Sequence, residues 1–286
     1  MSLPSTQTIP VPPGIPALLR DLVHEKTGLY FEDDRFDTLI DKLRDRATAC
    51  GSRSFLDYYY ILKYDGERTN EWLRVMDAFS VQETYFYREY AQIQVLVETL
   101  IPRWFQQSTQ PLKIWSAACA SGEEPYSLAI AIKERGLDRY PIEIIASDAS
   151  ELALSRAQAA TYRERSFRSF PLELRQKYFL PVAEGWQLRK EMLTPIRFLR
   201  VNLASAEDVA QIDRPQVVFC RNVFIYFSPA AIRRVVSAFA LRMPGGAHLF
   251  IGASESLLRL TTDFELQEIG DAFVYVRNRA LAPVAP

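Results

Sequence analysis

The hydrophobic period changes near residue 110, and that change limits the fold more than any other feature of the chain. Before it, apolar residues recur at helical spacing: Leu18, Leu19, Leu22 and Val23, then Phe36, Leu39, Ile40, Leu43 and Ala47, then Trp72, Leu73, Met76 and Phe79. That spacing puts each group on one face of a helix. Gly28, Gly51 and Gly66 stand near polar residues and mark breaks between those helices. Residues 14–80 are therefore predicted as a small all-helical domain. A further helix holding Ile93, Leu96, Val97, Leu100 and Ile101 leads onward.

After residue 110, short apolar runs alternate with helical stretches. LKIWSA (112–117) precedes a helix from about Glu124, and IEIIAS (142–147) precedes one from about Ser150. VVFC (217–220) is followed by a helix from about Pro229, then by HLFIGA (248–253). Alternating buried strands and helices predict a doubly wound, mostly parallel sheet. The end differs: FELQEI and AFVYVR flank Gly270 and Asp271, which predicts an antiparallel hairpin on the sheet edge. WQLR and IRFLRV, around a polar turn, predict a small β subdomain inserted at about 160–200 in a second domain of 81–286.

Composition removes several classes. With 34 basic against 35 acidic residues, no global field draws the chain onto nucleic acid or anionic lipid. No segment has the apolar length to span a bilayer, so membrane insertion is not expected. Residues 1–13 read as a flexible, Pro-dense leader without signal-peptide character, and a cytoplasmic protein is expected. Cys50, Cys119 and Cys220 are widely spaced, and neither His24 nor His248 has a ligand neighbour, which argues against a disulfide frame or a metal site.

Four segments carry candidate chemistry. In WSAACASGEEPYSLAIAI (115–132) a buried strand ends in small residues before an amphipathic helix, so a ligand can approach the backbone and face the helix N-terminus. An ordinary strand-to-helix turn explains the same residues. Asp148 follows IEIIAS, where an acidic residue either accepts ribose hydroxyls or caps the next helix. Arg221 and Asn222 end the strand in FCRNVFIYF (219–227), where polar groups need partners, whether a ligand or a core carboxylate. In FSVQETYFYRE (79–89), Glu83, Thr84, Arg88 and Glu89 sit among aromatics at the domain join.

Taken in order, QETYFYRE, WSAACASGEEPYSLAI, ASD, VNL, FCRNVFIYF and GASESL resemble the CheR-type chemotaxis receptor protein-glutamate O-methyltransferase family over nearly the whole chain. The resemblance implies an α/β class I S-adenosylmethionine-dependent methyltransferase with an inserted β subdomain and an all-helical N-terminal domain. It implies transfer of a methyl group to receptor glutamates, with S-adenosylhomocysteine as product. By position, it places the cofactor against Gln82, Thr84, Arg88, Glu124, Asp148, Asn202, Leu203, Arg221 and Asn222. Gln82 stands where the family usually has Asn. Arg88 and Tyr226 are implied nearest the methyl acceptor.

The loop between the subdomain strands holds only Gly185, so tethering to a receptor's C-terminal pentapeptide is not expected. Docking of a chemoreceptor-type partner is expected instead along Arg35, Lys42 and Arg46, which share the border of the Phe36–Ala47 apolar arc; a mixed-charge solvated face with Asp41 and Asp45 explains the same pattern. An NAD-dependent oxidoreductase would share the strand and loop but lacks GxGxxG here. An adaptor that keeps the fold with reduced catalysis is the remaining alternative.

Overall fold

The structure is a computed structural model that describes residues 9–80, 83–193 and 196–279. The chain divides into two compact units after Ser80.

The first unit holds α1 (Ile15–Thr27), α2 (Phe36–Ala49), α3 (Phe55–Tyr60) and α4 (Glu71–Phe79). A 3-10 turn, Asp33–Arg35, leads into α2, and a π-helical segment, Ile61–Asp65, extends α3. Gly28 ends α1 at φ 78°, a left-handed turn that favours glycine. Leu39, Ile40, Leu43 and Ala47 are buried on one side of α2, as the helical arithmetic expects. The tied-down chain begins earlier than expected, because Ile9 is buried in this core and Pro10 O accepts from Phe55 N at 3.0 Å. Of the expected leader, residues 1–8 lie outside the described residues.

Glu71, only 1% exposed, sits inside this unit. Arg46 donates to its carboxylate from Nε at 2.9 Å and Nη2 at 2.8 Å, and the Tyr58 hydroxyl donates at 2.9 Å. Arg46 is therefore committed to an internal ion pair and is not a docking cation. Lys42 reaches the Ala78 carbonyl at 3.4 Å and lies over the Phe79 ring; it is half-buried, and of the three basic residues only Arg35 is exposed.

The second unit opens with α5 (Tyr90–Val95), a π-helical segment (Leu96–Leu100) and α6 (Ile101–Gln107). There follow β1 (Leu112–Ala117), α7 (Glu123–Glu134), β2 (Ile142–Asp148), α8 (Glu151–Ala159) and β3 (Thr161–Tyr162). Next come α9 (Leu172–Tyr178), β4 (Phe179–Val182), β5 (Gly185–Leu188), β6 (Ile196–Arg200) and α10 (Ala206–Ala210). The chain closes with β7 (Val217–Phe219), α11 (Pro229–Arg242), β8 (His248–Phe250), β9 (Phe264–Ile269) and β10 (Ala272–Arg277).

The large sheet runs β6-β2-β1-β7-β8-β10-β9. Its first five strands are parallel, and β10 pairs antiparallel with both β8 and β9. This is the class I methyltransferase sheet. Two cores cover its faces, and β1 feeds both by strand alternation: Leu112 and Ile114 enter one, Trp115 and Ala117 the other. The chain moves outward from β1 to β2 and β6, then crosses back to β7, so the strand order reverses between β1 and β7. Ligands of open α/β sheets bind outside the carboxyl ends of the strands at such a point.

The small sheet is β3-β5-β4. WQLR belongs to it, but IRFLRV does not: β6 pairs in parallel with β2, from Ile144–Ile196 to Asp148–Arg200. The strands β4 and β5 join through a two-residue turn, Ala183 and Glu184, closed by the Val182–Gly185 pair. Phe86, ahead of α5, packs between Phe167, Phe170 and Phe179 of the insert at centroid distances of 5.1–5.3 Å.

Candidate active site

The loop from β1 to α7 takes three left-handed residues in alternation: Ala118 (φ 59°), Ala120 (φ 48°) and Gly122 (φ 93°). Left-handed alanine is strained and persists only where the surroundings enforce it. Tyr87, Glu89 and Asn222 share this conformation and border the same strand ends. Gly122 also lacks room, since a Cβ there would stand 2.9 Å from the Ala157 methyl. The small residues thus hold a backbone path that larger or unstrained residues would not follow.

Asp148 fixes that loop to β2. Its Oδ2 accepts from Ala120 N at 2.9 Å and its Oδ1 from Ser150 N at 2.9 Å. The helix cap is Ser150, whose hydroxyl accepts from Ala153 N, so Asp148 is not the cap of α8. The segment after β6 joins it, because Val201 N donates to Asp148 O at 3.0 Å. Asn202 Oδ1 accepts from Ala204 N at 3.0 Å, while the Leu203 side chain packs into the core. Asp148, Asn202 and Leu203 therefore meet at the ends of β2 and β6.

A second cluster forms around Arg221, whose side chain is 2% exposed. Its Nη2 donates to Arg88 O at 2.5 Å, and its Nε lies 3.2 Å from Glu124 Oε2. The Nε contact is too poorly aligned for a hydrogen bond, so both Nε and Nη1 are buried without one. Ser116 Oγ donates to Glu124 Oε1 at 2.6 Å. Burial pushes the Glu124 carboxyl above its ordinary range, and the Arg221 charge and the Ser116 hydroxyl do not fully offset that rise. Orphaned donors beside an under-stabilised carboxylate are the mark of a site that a polar ligand completes.

The Arg88 side chain donates to Glu83 O at 2.8 Å and is half-exposed. Thr84 is half-buried, and its hydroxyl makes no hydrogen bond among the described residues. Gln82 lies outside them. Tyr226, at the end of the 3-10 turn Phe224–Tyr226, is 38% exposed. Asn222 N donates to Glu255 Oε2 at 2.9 Å, and its Nδ2 lies 3.4 Å from Glu89 Oε1.

Glu255 was missed in the sequence reading. Its carboxylate also accepts from Gly252 N at 2.6 Å and Ile225 N at 3.2 Å, fastening the loops after β7 and β8 together. The signal was present in GASESL, an acidic residue just past a strand end. Glu123 was missed as well. It is 3% exposed and accepts from Ser121 Oγ at 2.7 Å and Ser166 Oγ at 2.9 Å, clipping the insert to α7. The paired glutamates of GEEPYS thus divide their work, Glu123 holding structure and Glu124 facing Arg221.

Among the described residues, the buried thiols and His248 are poor candidates for a nucleophile or base. Burial pushes the Cys119 and Cys220 thiols well above their ordinary value. Burial likewise lowers His248 to about 4, which makes its imidazole a weak base.

The description "CheR methyltransferase, SAM binding domain" matches residues 82–273, and "CheR methyltransferase, all-alpha domain" matches 17–80. The chain belongs to the CheR methyltransferase family. It is 33% identical over 262 residues to chemotaxis protein methyltransferase 2 of Vibrio cholerae, covering 90% of this chain and 91% of that one. It is 32% identical over 209 residues to chemotaxis protein methyltransferase 1 of Pseudomonas aeruginosa, covering 70% and 76%. Its cofactor is S-adenosylmethionine, and the orphaned Arg221 nitrogens and the strained small-residue loop suit a ligand that brings both a carboxylate and an ammonium.

Proposed function

We propose that this CheR-family chain methylates glutamate side chains of a chemoreceptor or chemoreceptor-like signalling protein in the cytoplasm, forming γ-carboxyl methyl esters. The observation that carries the reading is the position of Arg221. One buried guanidinium faces Glu124 and, from Nη2, holds the backbone of Arg88. That links Glu124, which the proposal puts against the cofactor, to Arg88, which it puts against the acceptor, and so supports the reading.

Bound S-adenosylmethionine supplies a sulfonium methyl that an ionised carboxylate takes directly, so S-adenosylhomocysteine leaves and no proton moves. The chain's own task is alignment. Arg88 and Tyr226 hold the acceptor carboxylate, the guanidinium by charge and the phenol by hydrogen bond. Asp148 accepts the ribose hydroxyls, Asn202 and the Leu203 backbone frame the adenine, and Glu124 meets the methionine ammonium. Thr84 and Asn222 close the pocket, and Gln82, which lies outside the described residues, is assigned to it by the family resemblance alone. The buried, hard-to-ionise thiols and the buried, weakly basic His248 agree with a transfer that requires no general base.

The partner docks on the border of α2 through Arg35 and Lys42, with Arg46 excluded by its bond to Glu71. The two-residue turn between β4 and β5 supports docking without a pentapeptide tether.

The test is incubation with methyl-labelled S-adenosylmethionine in native lysate. The labelled partner should be a receptor-type protein, and mild alkali should release the label as methanol. Label that survives alkali places the methyl on nitrogen or carbon and overturns the glutamate assignment.

A further inference from the structure

A cavity of about 400 Å³ opens between the start of α5, the end of β8 and the β9–β10 hairpin. Its charged groups are all acidic, beside the hydroxyls of Tyr90, Ser256 and Tyr275. Glu89, Glu255 and Asp271 line it, and none forms an ion pair among the described residues. Glu89 and Glu255 meet only neutral donors: Glu89 accepts from Ala253 N at 3.2 Å, and Glu255 accepts from three backbone N–H groups. Gln92 also lines the cavity and is only 8% exposed. Its Nε2 donates to Ile251 O at 2.8 Å, which fixes the orientation of the amide because a carbonyl only accepts. Gln92 Oε1 is left buried with no donor. Leu266 and Phe273, 37% and 65% exposed, supply an apolar wall.

We propose that this cavity is a specificity subsite for a lysine or arginine side chain of the protein substrate, one helical turn from the methylated glutamate; the inference rests on the glutamate-acceptor reading above. Such side chains pair an apolar stem with a head that only donates. The stem lies against Leu266 and Phe273, and the head meets the carboxylates that have no ionic partner among the described residues, in the same wall as the donor-less Gln92 Oε1. The subsite is tied to the acceptor position by the same residues. Glu255 accepts from Ile225 N, next to Tyr226, and Glu89 directly follows Arg88. In a helical substrate, residues three or four apart share a face, so a cation there enters the cavity while the glutamate meets Arg88 and Tyr226. An acidic residue in that position is repelled, which gives the site discrimination as well as affinity.

The test uses alanine-based helical peptides with one acceptor glutamate and Lys, Gln or Glu at four residues before or after it. Binding is read by fluorescence anisotropy with saturating S-adenosylhomocysteine, and transfer by label from S-adenosylmethionine. In one of the two placements the Lys peptide should bind and react about threefold to tenfold better than the Gln peptide, and the Glu peptide worse. Asp271→Lys should reverse that ranking without changing S-adenosylhomocysteine affinity. Gln92→Leu, close in volume, should flatten it. Equal binding of the three peptides in both placements, or no binding of any, overturns the subsite. A Lys preference in binding with no transfer to any peptide leaves the subsite standing and overturns the glutamate acceptor; equal transfer to all three does the reverse.

Discussion

Glu71 in the helical unit and Glu124 in the sheet unit are both largely buried carboxylates facing an arginine, and they are built in opposite ways. Glu71 has a two-pronged Arg46, the Tyr58 hydroxyl and, at 3.5 Å, Arg74. Burial pushes its carboxyl up, but the hydrogen bonds from Arg46 and Tyr58 with the Arg46 charge outweigh that, and it ends below its ordinary value. Glu124 has one serine hydroxyl and one misaligned arginine, and burial wins. A buried ion pair stabilises a fold only when its geometry is complete. The complete pair is architecture, and the incomplete one is where the proposed cofactor contact falls.

The largest effect that tests this contrast is at Glu71. Glu71→Ala strands the Arg46 charge and the Tyr58 hydroxyl inside the first unit and should cost about 3–5 kcal/mol of that unit's stability, read by urea unfolding. The cofactor affinity of the protein that remains folded should not change. A loss near zero would make the pair dispensable and remove the contrast. Changing Arg46 to Glu would add a second carboxylate beside Glu71, so a charge-reversal test of docking belongs at Arg35 and Lys42 alone.

A smaller effect of opposite sign is expected at Glu124. Glu124→Gln should weaken cofactor binding by about 1.5–3 kcal/mol through loss of a charge-assisted contact, while leaving the stability of the cofactor-free protein unchanged or higher at neutral pH.

The pH dependence separates the two pairs further. A carboxyl held below its ordinary 4.5 stabilises the fold above that pH, and Glu71's contribution is lost as pH falls below 4.5 through its folded value. A carboxyl held above 4.5 stabilises most in acid and loses that contribution as pH rises through its folded value, which is the case for Glu124. Hydrogen exchange on acidification below 4.5 should therefore show Glu71's unit opening first. The wild-type and Glu124→Gln stabilities should converge in acid, and a gap that widens there would contradict the assignment.

The strands LKIWSA, IEIIAS, VVFC and HLFIGA and the closing hairpin were legible because buried parallel strands are short, apolar and bounded by turns. The partner of IRFLRV was not. An apolar run of six residues states that it is buried but not beside which strand, and proximity in sequence suggested WQLR where the fold chose β2. Arg46 failed for a related reason. Helical arithmetic places it on the border of the α2 arc, but Glu71 arrives from α4, 25 residues later. At Asp148 the sequence left cap and ligand open, and the Ser150 hydroxyl on Ala153 N removes the cap alone. Glu255 went unseen because its partners are three backbone N–H groups, which no side-chain motif announces.

The most direct measurement is calorimetric titration of S-adenosylhomocysteine into the wild type and into Asp148→Ala. The account predicts one site per chain in the wild type. In the folded variant it predicts a loss of about 1–3 kcal/mol from removing a buried ribose hydrogen-bond pair. Unchanged affinity in Asp148→Ala would contradict the placement of the cofactor at the carboxyl ends of β1, β2 and β7.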